Sequence, residues 1–347
     1  MRPLGAVVAT AASLPRMGYG TTEHGLIAAV VDSPTADEPR VEYADWLRSE
    51  GDEARSSIVQ ATRVRSLVLV TLGTELSALR GGHVGWSRLI GAQLIQQACD
   101  LGLQRFVERW LRLARPALEL VVGAPVEEAP VGASRLWGDP DLPGGTRWPT
   151  LADCKRWEPE IDLPADSPCQ FLGQISLDEL SSTAAADALP STGLLSIFAH
   201  HEWETTGSSS ICLKYFGSTE GLERVAHAHT DQDNARLQSR SVDLVDALTL
   251  PESYESPFSD AIGFARTDTE LDQKYRQVSL ASSGGILGLL GHDRATTGAD
   301  PTPAADWERL INVPLEPDYG VLHLAIQHEK LHAAQVEDHE FVWVDFD

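Results

Sequence analysis

Nowhere does this sequence run for roughly 18 apolar residues, the minimum for a membrane-spanning helix, so no membrane span is expected. Cysteine is scarce. Cys99, Cys154, Cys169 and Cys212 form no Cys-x-x-Cys pair and no zinc-knuckle spacing, which removes a disulfide framework and an all-cysteine metal site. Reduced thiols in a cytoplasmic protein are the simplest reading, and the nearest pair, Cys154 and Cys169, closes only a short loop. Cations are few: 27 Lys and Arg stand against 51 Asp and Glu, for a net charge of −24. The acidic residues are spread along the chain, so its surface repels nucleic-acid phosphates and anionic membranes, and neither is an expected partner. A Gly-x-Ser-x-Gly elbow and the local cysteine-protease signatures are missing too. Gly284-Gly285-Ile286-Leu287-Gly288 lacks the Lys-Ser/Thr of a phosphate loop and reads as a turn.

What is present belongs to a folded protein. The composition is 42% hydrophobic with nine Trp and eight Phe in 347 residues, enough for about two to three domains. Leu4 to Leu14 imitates a signal-peptide core behind a single Arg2, but the basic region is thin and Pro15-Arg16 follows. Residues 1–21 read as a disordered or loosely packed N-terminal segment, and the chain as cytoplasmic.

Residues 22–66 read as a small helical unit. Leu26, Ile27, Val30 and Val31 make a helical stripe that ends at Asp32-Ser33-Pro34, and Pro39 opens a second helix with Val41, Tyr43, Ala44, Trp46 and Leu47 inward. Ser49-Glu50-Gly51-Asp52 stops that helix and caps a third. Residues 67–117 continue as a helical connector or bundle, with Leu94, Ile95, Ala98 and Leu101 on one face and Phe106, Val107, Trp110 and Leu111 on the next. From residue 118 the texture turns β-rich and turn-rich. Candidate strands are Leu118–Val122, Cys169–Ile175, Leu194–Ala199, Ile211–Phe216, Tyr275–Ala281, Gly320–Gln327 and Glu340–Phe346, with a long polar loop and short helix over Ala228–Asp260. No fixed-period repeat is visible. The expected fold is α+β: a helical N-terminal region, then a mostly antiparallel sheet with short helices over residues 118–347.

Two stretches carry family resemblances. The order DEPR-x-x-YADWL-x-x-x-GD within residues 22–66 resembles the small repeat-companion domain, an accessory module of many bacterial proteins; Ala54 to Gln60 depart from its third helix. Residues 118–347 resemble the YwqG-like family of unknown function. The carrying text is Asp139-Pro140-Asp141-Leu142-Pro143-Gly144-Gly145, then Trp148-Pro149, then Phe171-Leu172-Gly173-Gln174-Ile175 before Leu177-Asp178-Glu179-Leu180, then Leu189-Pro190 leading to Gly193-Leu194-Leu195. Gly288-Leu289-Leu290-Gly291, Trp307 to Ile311 and Gly320 to Ile326 fit in part, while Ser282 to Gly285 replace a frequent family histidine. The resemblance implies a compact α+β domain and no reaction.

Several constellations are candidates for chemistry. His328-Glu329-Lys330-Leu331-His332 spells H-E-x-x-H, which on a helix sets two zinc ligands on one face with Glu329 as general base. It follows a strand directly, and His339 lies at the wrong spacing for a third ligand, so surface histidines are the plainer reading. His227, His229 and Asp231 are a second metal candidate on an extended segment. Trp137, Trp148 and Trp203 are candidates for a binding surface. With no complete catalytic constellation, no cofactor is implied. The expected function is a non-enzymatic cytoplasmic protein that binds a protein partner, immunity-like or regulatory, and masks something basic. The alternatives are a small-molecule binding module, with the signature turn and Trp148 rimming a pocket, and a zinc-dependent hydrolase built on the HEKLH segment.

Overall fold

The computed structural model describes residues 20–63, 76, 83–127, 129–156, 164–180, 183, 186–200, 210–226, 237–253, 258–265, 267–285, 287–293, 304–314, 320–332 and 341–345. Helices α1 (Thr21–Asp32), α2 (Glu38–Ser49) and α3 (Glu53–Ala61) come first, followed by α4 (Val84–Leu89), α5 (Ala92–Asp100) and α6 (Val107–Leu113). The strands are β1 (Arg115–Pro125), β2 (Arg135–Leu136), β3 (Asp141–Pro143), β4 (Lys155–Arg156), β5 (Gln170–Ser176), β6 (Leu194–Ala199), β7 (Ser210–Phe216), β8 (Leu222–Arg224), β9 (Arg240–Thr249), β10 (Gly288–Leu289), β11 (Trp307–Pro314), β12 (Val321–Gln327) and β13 (Phe341–Asp345). Helix α7 (Thr269–Ser283) lies between β9 and β10, and α8 (His328–His332) follows β12. The fold is α+β, and every strand pairing among the described residues is antiparallel.

The N-terminal helices form where the apolar stripes place them. Ile27 and Val30 of α1 and Tyr43, Ala44 and Leu47 of α2 are buried. The Asp52 side chain caps α3 by accepting from Arg55 N at 3.0 Å. A polar seam joins this unit to α4. Tyr43 Oη donates to Glu23 Oε1 and accepts from Trp86 Nε1, both at 2.8 Å, while the Arg55 guanidinium lies over the Trp86 ring. Fully buried Arg40 donates to Thr62 O and Ile90 O, carbonyls just past the ends of α3 and α4 that no helical N–H reaches. One buried cluster runs from Ile27 through Trp86, Trp110 and Ile175 to Leu331, so these helices and the sheet share a core.

The main sheet has the order β13-β12-β11-β10-β1-β9-β2-β5-β6-β7-β4, and β3 and β8 form a separate ribbon. The order reads outward from the central β1–β9 pair as two equivalent arms. In one, two-residue β2 lies against β9, with Arg135 opposite Gln174 and Leu136 opposite Gly173. In the other, two-residue β10 lies against β1, with Gly288 opposite Asn312 and Leu289 opposite Ile311. The register then slips at matching places, between Phe171 and Gly173 in one arm and between Arg309 and Ile311 in the other. The repeat is invisible to a fixed-period search because the connections within the arms differ in length and almost every residue differs.

Two expectations are overturned. Residues 275–281 are not a strand; they lie in α7. Their alternation suggested a strand, but Tyr275, Val278, Ser279 and Ser282 are buried at helical spacing, and Asp268 caps the helix by accepting from Leu271 N. Residues 228–260 are not all loop, because Arg240–Thr249 is the centrally placed β9. Its Asp243 and Asp246 gave a polar texture to a strand whose final four residues are buried.

Replacing Tyr43 by Phe removes both hydroxyl bonds and strands buried Trp86 Nε1. The expected cost is about 1–3 kcal/mol, read as a lower urea midpoint with an unchanged slope.

Candidate functional site

The signature segment builds a buried ionic network. After β2 the chain turns through two left-handed residues, Trp137 (φ 57°) and Gly138 (φ 76°), and Trp137 N donates to Leu172 O at 2.8 Å. This turn carries the chain into β3, where Asp141 is fully buried. Its Oδ2 accepts from Arg135 Nη1 at 2.7 Å, Gly132 N at 2.8 Å and Gln174 Nε2 at 2.8 Å, and its Oδ1 accepts from Arg224 Nε at 2.6 Å. Gln174 also accepts from Asp141 N through Oε1 and donates to Ala133 O. Burial opposes ionisation of Asp141, but the bonds from Arg135, Arg224 and Gly132 N outweigh it and hold the carboxyl well below the ordinary range. The network ties β2, β3, β5 and β8 together.

The other arm holds a counterpart. After β10 the chain again turns through two left-handed residues, Leu290 (φ 60°) and Gly291 (φ 75°). A Cβ on Gly291 would lie 2.3 Å from Thr249 Oγ1, so only glycine fits. Beyond the turn, buried Asp293 accepts through Oδ1 from Asn312 Nδ2 at 2.6 Å and lies 2.9 Å from His323 Nδ1. Arg309 Nε donates to Leu290 O at 2.7 Å. Asn312 matches Gln174 by register, and Asp293 matches Asp141 by role; His323 takes the part that Arg224 plays in the first arm. Burial opposes the charge on Asp293, yet His323, Arg309 and Asn312 keep its carboxyl below the ordinary range. Among the described residues Trp137 and Leu290 are the two non-glycine residues at positive φ, and one stands at each network. Strain held in this way marks positions that the surroundings over-determine.

His292, between Gly291 and Asp293, is sealed in the core. Its Nε2 lies 2.6 Å from Leu113 O, an acceptor only, so Nε2 carries the hydrogen. Burial, helped by the Arg115 charge, lowers its pKa well below the usual imidazole value.

The candidates read from the sequence fall elsewhere. Trp137 is 4% exposed and belongs to the core, so it offers almost no surface. Trp148 is half-buried: its Nε1 donates to Cys169 O at 2.8 Å and its ring meets Phe198 edge-on, covering a small apolar cluster. Trp203, His227, His229 and Asp231 lie outside the described residues. His328 opens α8 directly after β12, with Nε2 3.5 Å from Glu308 Oε2; Glu329 is exposed, and the His332 ring lies outside the described residues. Among the described residues no group of three or more His, Cys, Asp or Glu is arranged to hold a metal. A groove of about 120 Å³ lies between Leu177, Leu180, Ala186 and Leu189, with Asp187 at its edge. Sites for drug-sized ligands start at about 300 Å³. Both carboxylate networks were missed in the sequence because their members come from separate strands. The available signal was the likeness of Leu136-Trp137-Gly138-Asp139 to Leu289-Leu290-Gly291-His292, each run shortly before a buried Asp.

Asp141→Ala leaves Arg135 buried without its carboxylate and should cost about 3–5 kcal/mol in urea unfolding. Glu53→Ala, whose side chain is 72% exposed, should change stability by less than about 0.5 kcal/mol in the same assay. The pH profile should show two steps. The folded pKa of His292 is depressed, so its contribution is complete above the unfolded value of 6.5 and is lost as pH falls below it. Asp141 and Asp293 are depressed from 3.8, so theirs is complete above that value and lost at lower pH. Urea midpoints should therefore start to fall near pH 6.5, and His292→Gln should delay the fall to the carboxylate range.

Comparison with curated proteins finds no match. A family model described as a domain of unknown function (DUF1963) matches residues 134–345, which takes in both arms from β2 to β13 but leaves out β1, the strand at the sheet's centre. By that match the chain belongs to this family of unknown function.

Proposed function

We propose that this chain is a non-enzymatic, cytoplasmic protein that binds and masks a basic protein partner, in an immunity-like or regulatory role. The carrying observation is where the charge lies. Among the described residues three arginines (Arg40, Arg135 and Arg309) and five carboxylates (Glu23, Asp141, Asp246, Glu252 and Asp293) are buried. These nearly cancel, so the acidic excess among the described residues is carried outside the core. A surface of one sign steers an opposite partner and repels wrong ones. The burial of Asp141, Asp293 and His323 supports a structural use of these groups over an acid–base one, since their side chains are closed off from solvent. In this reading α1–α3 serve as a repeat-companion type accessory module, and the sheet is a YwqG-like member of its family.

A small-molecule binding module is the second reading. The groove at Leu177 and Leu189 favours it, though its size suits only a small fragment.

The test is cross-linking in the native cell followed by binding kinetics with the purified partner. A basic partner is expected, with an association rate that falls roughly ten-fold or more from low to high salt. An acidic or neutral partner, or a rate insensitive to salt, refutes the masking role.

A further inference from the structure

The segments 149–154 and 165–169 run side by side at the end of the sheet that carries β4. Thr150 bridges Pro168, Leu151 N donates to Ser167 O at 2.8 Å, Ala152 N to Ala165 O at 2.8 Å, and Cys169 N to Pro149 O at 2.9 Å. A capping box between Thr150 and Asp153 fixes the turn Leu151–Asp153, which ends at Cys154. Trp148 clamps the far side through its bond to Cys169 O. The outcome is that Cys154 Sγ sits 3.1 Å from Cys169 Sγ, about 1 Å beyond a disulfide bond. Cys154 is half-buried, whereas Cys169 is buried among Leu142, Phe171, Phe198 and Cys212.

We propose that Cys154 and Cys169 are an oxidative modification site, forming a reversible disulfide with a low-molecular-weight disulfide as oxidant. The half-buried Cys154 is the thiol an external oxidant reaches. Its thiolate attacks one sulfur of the oxidant, forming a mixed disulfide and releasing one small thiolate. Cys169 then attacks Cys154 Sγ, and the second small thiolate leaves. Two chain thiols are oxidised, one external disulfide is reduced to two thiols, and the two protons pass to the released thiolates. The hydrogen bond with Cys154 and burial push the Cys169 thiol far above the usual range, so it keeps its proton until the neighbouring sulfur is activated. The product closes the loop 154–169 and staples β4, the terminal strand paired to β7, to the start of β5. The free Cys99 on α5 serves as an internal control.

The experiment equilibrates the full chain in reducing and oxidising glutathione buffers, quenches in acid, alkylates after denaturation and maps peptides without reduction. A peptide joining Cys154 to Cys169 is expected in the oxidised sample alone, with Cys99 alkylated in both. The joined protein should melt several degrees higher than the reduced one, because the closed loop has less entropy to gain on unfolding. Cys154→Ser and Cys169→Ser should each abolish the peptide. Cys154→Ser changes the half-buried partner and keeps the test valid if the core variant fails to fold. Full alkylation of Cys154 and Cys169 under oxidising conditions overturns the proposal, as does a bridge to Cys99 or Cys212. An unchanged melting temperature in the joined protein overturns the staple.

Discussion

Pairing β1 with β9 sets Arg115 beside Thr249 and Val122 beside Val242, segments separated by the whole of one arm of the sheet. The entropy of closing so long a loop grows only slowly with its length, and nine registered pairs repay it. Everything else hangs from this pair. Each outer face of the pair receives a two-residue strand, β2 on β9 and β10 on β1, and each of those starts an arm. The helical layer rests on the same place. Gly85 brings α4 against β9 so closely that an added Cβ would lie 3.0 Å from Asp246 N, and Trp110 Nε1 donates to Ile262 O just before α7.

The two arms solve one problem twice. A short strand leads into a left-handed turn, and the turn drops a carboxylate into the core, where a carboxamide on the next strand meets it. Buried charge is costly unless its partners are complete. The arms compensate it differently, with Arg135 and Arg224 around Asp141 but His323 and Asn312 around Asp293. Polar groups so tightly fitted favour one strand arrangement over its slipped neighbours. That matters in a sheet whose two arms join the central pair through two-residue strands.

Much of the local structure was legible. The stripe of Ile27 and Val30, the stop and cap at Gly51-Asp52, and the strands at Leu194–Ala199 and Ile211–Phe216 follow from periodicity and turn chemistry, and the structure has them in place. The errors have a common cause. Residues 275–281 alternate as a strand and also repeat as a helix, and only the packing of Tyr275 against Trp110 and its bond to Pro251 O select the helix. The acidic β9 looked like loop because its neighbours, which bury its last residues, are distant in sequence. The site was less legible than the fold. HEKLH drew notice because its residues are adjacent, whereas Asp293, Asn312 and His323 meet only after β10, β11 and β12 align.

The sequence by itself determined the α+β class, the acidic excess and the turn-rich signature, because these rest on composition and on contacts between near neighbours. Only the tertiary structure decided the two-armed sheet, the burial of Trp137 and Asp141, and the meeting of Cys154 with Cys169. The first two depend on strand register, which is set by long-range pairing that no local window contains, and the last on the bonds that lay 149–154 beside 165–169.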